Sequence, residues 1–93
     1  MDKTEARLVL EEFLQELRQK SYEELQTFIS NPVCFERRGH SGAVYQIEYE
    51  AVWDSKPGQT LRIIAAIDDG GFLSALRPLT SGFLVTPSGE TIG

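Results

Sequence analysis

One cysteine, Cys34, stands alone among 93 residues, so no intrachain disulfide framework can exist and nothing in the chain asks for an oxidising compartment. No apolar run comes near the roughly 20 residues of a spanning helix. The N-terminal stretch Met1-Asp2-Lys3-Thr4-Glu5-Ala6-Arg7 lacks the apolar centre of a leader segment. These absences lead to the expectation of a cytoplasmic protein without a membrane partner. Lys and Arg number 9 against 14 Asp and Glu, a net charge of -5. That balance works against a nucleic-acid backbone as partner, because phosphate binding relies on Lys and Arg. Walker, dinucleotide-binding, zinc-ligand and nucleophile-elbow patterns are missing, so no cofactor or metal is expected and the reading leans away from an enzyme.

What is present suits one folded unit. Apolar residues make up 41% and charged residues 25%, ordinary values for a globular chain, and the length allows one core, read as a single α+β domain over 1–93. Ala6, Val9, Leu10, Phe13, Leu14 and Leu17 recur at the three-and-four spacing of one helical face and predict a helix over 4–20, with Thr4 as N-cap. Ser21 followed by Glu24 matches a capping box and opens a second helix over 22–28, which Asn31-Pro32 ends.

After Pro32 the period changes from 3.6 to 2. Strands are predicted over 33–38, 44–54, 60–68 and 72–78, with a further edge strand over 83–86. Two helices followed by four or five antiparallel strands give an α+β sandwich, the helices on one face of a meander, by analogy with cystatin-like or NTF2-like curled sheets. Asp69-Gly70 reads as a two-residue hairpin turn that sets Ile67 opposite Phe72, Ile63 opposite Leu76, and Leu61 opposite Pro78. The same register sets Arg62 against Arg77. A five-residue loop over 54–58 would place Glu50 beside Arg62, giving a three-strand charge cluster.

Candidate chemistry is sparse. Asp68 and Asp69 beside Gly70-Gly71 offer oxygen ligands for a cation, yet the turn alone explains them. His40 lies between Gly39 and Ser41, and no acid or nucleophile is tied to it by spacing. Cys34, on the strand between Val33 and Phe35, reads as structurally buried rather than as a nucleophile. Glu48 and Glu50 share a strand face and read as its solvated side. Tyr45, Tyr49 and Trp53 form an aromatic row that is either core or the wall of a small-ligand cavity, with Glu48 or Asp68 as its polar groups.

The residues hardest to place are Ile64, Ala66, Leu73 and Ala75, apolar on the sheet face assigned to solvent. Contiguous apolar surface of that kind marks an interface or a covered layer, so the expected use is self-association as a homodimer, or docking of an unidentified protein partner. An acidic immunity or inhibitor protein is the other alternative.

Ser21-Tyr22-Glu23-Glu24-Leu25, Tyr45-Gln46-Ile47-Glu48, the stretch 61–71 ending in Ile67-Asp68-Asp69-Gly70-Gly71, and Pro78-Leu79-Thr80 together resemble a small family of uncharacterised bacterial proteins. The resemblance implies a bacterial, cytoplasmic, single-domain protein and carries no catalytic residues with it.

Overall fold

Six apolar residues at helical spacing make the first element. The computed structural model describes residues 1–71 and 76–93. In it α1 (Lys3–Arg18) buries Ala6, Val9, Leu10, Phe13, Leu14 and Leu17, the expected stripe. It starts one residue earlier than expected, because Asp2 rather than Thr4 is the N-cap: its carboxylate accepts from the Glu5 amide at 3.0 Å. Ser21 caps α2 (Tyr22–Gln26) as expected, its hydroxyl oxygen accepting from the Glu24 amide at 3.1 Å. Tyr22 is buried, and its hydroxyl donates to the Gln59 carbonyl, which ties α2 to the loop ahead of the third strand.

The remaining elements are five strands: β1 (Val33–Arg38), β2 (Val44–Trp53), β3 (Leu61–Asp68), β4 (Leu79–Val85) and β5 (Thr91–Ile92). They form one antiparallel sheet in the order β1-β2-β3-β4-β5, with the helical layer on one face, an α+β fold whose sheet is not closed into a barrel. Period-2 alternation sends Tyr45, Ile47, Ala51, Leu61, Ile63, Ala65, Ile67, Phe83 and Val85 into the core beneath α1.

Two registers differ from expectation, each for a local reason. β2 ends at Trp53 opposite Leu61, with the Asp54 amide donating to the Thr60 carbonyl at 2.9 Å just beyond, so the β2–β3 loop spans 54–60 rather than 54–58 and the pairing moves by two. Val52 therefore lies opposite Arg62 and Glu50 opposite Ile64. A shift of two keeps every side chain on its face but removes the Glu50, Arg62, Arg77 cluster. Arg62 pairs instead with Asp54, Nη2 to Oδ1 at 2.6 Å.

The β3–β4 pairing changes more. Leu61, Ile63 and Ile67 face Val85, Phe83 and Leu79, not Pro78, Leu76 and Phe72. The acidic pair explains why. Asp68 Oδ1 accepts from the Gly70 amide at 2.7 Å and Asp69 Oδ1 from the Gly71 amide at 3.0 Å. Both side chains thus bond amides two residues ahead and turn the backbone out of β3 instead of closing a two-residue hairpin. Arg62 faces Leu84, and the segment expected as an edge strand over 83–86 belongs to β4, with β5 outside it. Within the fourth strand expected over 72–78, residues 76–78 lie ahead of β4, and 72–75 lie outside the described residues.

Candidate functional site

The aromatic row sits under the helices and is packed. Tyr45 is fully buried, while Tyr49 and Trp53 lie against the core. The Tyr49 ring centroid is 5.0 Å from Phe13, 4.9 Å from Phe28 and 6.0 Å from Phe35. Glu48 and Asp68 project from the other face of the sheet. The five residues considered for a ligand cavity are therefore divided between two surfaces, and a single site cannot use all of them.

Tyr45 does take part in a polar cluster. Its hydroxyl donates to Glu5 Oε1 at 2.7 Å. The same carboxylate accepts from the Ser41 hydroxyl at 2.7 Å and the Ser41 amide at 2.9 Å. Glu5 on α1 thus clasps the β1–β2 turn, while the His40 ring lies 3.6 Å from the Glu12 carboxylate. Gly39 leaves room for this clasp, since a Cβ on it would come within 2.8 Å of the Glu5 carboxyl group and push that group aside. The hydrogen bond from Tyr45, followed by those from Ser41, lowers the Glu5 pKa below its usual value. The reciprocal bond to Glu5, then burial and the Glu5 charge, push Tyr45 up to about 12 from 10.0.

The two groups act at opposite ends of the pH scale. Glu5 stabilises the fold above its unperturbed pKa, and this contribution is lost as pH falls through the lowered value. Tyr45 stabilises below pH 10.0, and its contribution fades as pH rises toward 12. Ultraviolet titration of wild type against Tyr45→Phe is expected to assign a tyrosinate transition near 12 to Tyr45. Were Tyr45 to ionise at its ordinary 10.0, the Glu5–Tyr45 bond would not hold in solution.

Opposite the helices the sheet presents a second surface. Across it, strand by strand, run Cys34, Glu36 and Arg38; Val44, Gln46, Glu48, Glu50 and Val52; Arg62, Ile64, Ala66 and Asp68; Thr80, Gly82 and Leu84; and finally Ile92. Most of the acids lie on the β1–β2 side. On the β3–β5 side Ile64 adjoins Gly82, Ala66 adjoins Thr80, and Leu84 lies between Arg62 and Ile92. A groove of about 450 Å³ runs there, lined by Ile64, Thr80, Gly82, Leu84 and Ile92. A smaller hollow of about 240 Å³ lies between Cys34, Gln46, Glu48, Ala66, Asp68 and Pro78.

Of the four interface residues named from the sequence, Ile64 and Ala66 lie on this surface, half-buried by their neighbours. Leu73 and Ala75 lie outside the described residues. Leu84 and Ile92 were missed. The misplaced β3–β4 register hid Leu84, and a two-residue strand such as β5 has no periodicity to detect. Cys34, expected to be buried, is exposed, because the alternation of β1 turns it with Glu36 and Arg38 to the sheet face away from the helices. Among the described residues, no three His, Cys, Asp or Glu side chains converge to hold a metal ion, and no helix is long and apolar enough to cross a membrane. No family model, curated protein or solved structure matches the chain.

Proposed function

We propose that the protein is a non-enzymatic association module that pairs with a second copy of itself through the β3–β5 half of its open sheet face. The carrying observation is the apolar set Ile64, Leu84 and Ile92 lining one groove, with Ala66 next to Ile64's row on β3, on the face that the helices leave uncovered. Carboxylates stand at the rim of this half: Glu48 beside Ala66, Glu50 beside Ile64, and Asp68 at the end of β3, while Arg62 in the groove lining pairs with Asp54. Ile92, 51% exposed, continues the apolar surface of Leu84 in the same groove.

Light scattering of the wild type is expected to give twice the mass of one chain. Ile64→Glu combined with Leu84→Glu is expected to give a folded monomer, since both substitutions put a hydrated charge into the apolar contact. A wild type that is monomeric at millimolar concentration rules out self-association. The acidic half of the same face supports a second reading, an inhibitor that docks on a basic protein. In that case the wild type is monomeric, and complex formation weakens steeply with salt.

A further inference from the structure

The outer edge of β4 is used only in part. Among the described residues its neighbour on that side is β5, which pairs with Leu84 and Val85 alone. The Thr86 amide donates to the Glu90 carbonyl at 2.9 Å, which fixes which residues point their main-chain groups outward. By the two-residue period of an antiparallel ladder, these are Leu84, Gly82 and Thr80. Leu84 meets Ile92. Gly82 and Thr80 direct their N–H and C=O groups past the end of β5.

The surroundings specify what such an edge accepts. A row of outward amides and carbonyls is completed by another extended main chain. The strand Leu79-Thr80-Ser81-Gly82-Phe83-Leu84-Val85 carries no charge, whereas the opposite edge, β1, carries Glu36, Arg37 and Arg38, residues of the kind that keep edges from pairing. Apolar contact is on offer on the open face of the added position, from the groove of Ile64, Leu84 and Ile92, whose floor Gly82 leaves clear of side chain. On the helical face the Glu11 carboxylate accepts from the Ser81 hydroxyl at 2.9 Å.

We infer that the β4 edge at Thr80 and Gly82 binds an extended, uncharged peptide segment of a partner protein, added as a strand in line with β5. Main-chain bonds to Thr80 and Gly82 hold it, and a branched aliphatic side chain enters the groove beside Leu84. This goes beyond self-association, which uses the face of the sheet and not its edge.

The probe is a fluorescent, end-blocked peptide, Thr-Val-Thr-Val-Thr, titrated with the full chain and followed by anisotropy and by amide nuclear magnetic resonance. Saturable binding is expected, with the largest shifts at the Thr80 and Gly82 amides. Thr80→Pro should weaken it at least tenfold. Because the Thr80 N–H faces outward, proline there removes an edge donor and spares the β3 ladder. Thr80→Lys, at an exposed position, provides a second variant that guards the edge by charge, and the same loss is expected. No saturable binding at millimolar peptide, equal binding by wild type and both variants, or shifts confined to β1 would each overturn the inference. Light scattering of the Thr80→Pro chain separates the two readings: a self-associated state that persists there while peptide binding is lost supports the edge site independently. A wild-type dimer that Thr80→Lys dissolves would assign the edge to a second copy and overturn the peptide reading.

Discussion

Replacing Gly82 with alanine is expected to destabilise the protein by roughly 3 kcal/mol, a loss seen as a lower urea midpoint with an unchanged slope. A methyl group on Gly82 would overlap the carbonyl oxygen of Ile63, with the Ile63 carbonyl carbon 3.2 Å away and the Ile64 Cα 3.4 Å away. All three are backbone atoms, so no side chain can swing aside. Relief requires β4 to draw away from β3 at the Ile63–Phe83 pair, where both side chains belong to the core. Thr80→Ala, two residues earlier at an exposed position of the same strand, is expected to change stability by less than about 0.5 kcal/mol. If Gly82→Ala fell within that range too, the close approach of the two strands would be wrong.

Phe13→Ala is expected to cost about 4 kcal/mol, or roughly 20 °C in melting temperature for a domain of this size. Phe13 is the point where α1 meets the β1–β2 side of the sheet. Its ring lies 4.8 Å from Phe35 and 5.0 Å from Tyr49, centroid to centroid. The Arg37 guanidinium stands 5.3 Å above it while holding both Glu16 carboxylate oxygens, at 2.6 and 3.0 Å. Truncation therefore leaves a cavity beside two aromatic rings, Phe35 and Tyr49, and removes the platform beneath an ion pair. Phe13→Leu retains most of the volume and is expected to cost less than half as much. Equal losses for the two would mean that ring stacking, not cavity formation, dominates, and calorimetry of both variants decides the matter.

Faces were easier to read from the sequence than registers, and the residues involved show why. Burial along α1 and the inward set on β2 and β3 follow from periodicity, which survives an error of two residues in loop length. The Glu50–Arg62 pairing does not survive it, since a partner across a strand depends on counting every loop residue. Asp68 and Asp69 are a harder case. The Asp-Gly dipeptide has two outlets, a hairpin turn and side-chain capping of the next amides. Only the competition of Phe83 and Val85 for places beside Ile63 and Leu61 decides between them. The open face was visible through Ile64 and Ala66. Its groove was not, because Leu84 and Ile92 enter through a pairing that no local pattern encodes.

The order of strands in the sheet also bears on how the chain reaches this arrangement. Each strand lies beside its neighbour in sequence, so ladder formation needs only short-range closure, which costs little entropy and proceeds quickly. Contacts that join distant parts are of another kind: Glu11 reaches across 70 positions to Ser81, and Arg18 across 75 to Gly93. Much of the α1 stripe rests on β3 and β4, so it is buried in full only once those strands lie side by side, although the helix precedes every strand in sequence. Until it docks, the sheet exposes its inward apolar face as well as the groove on its open side.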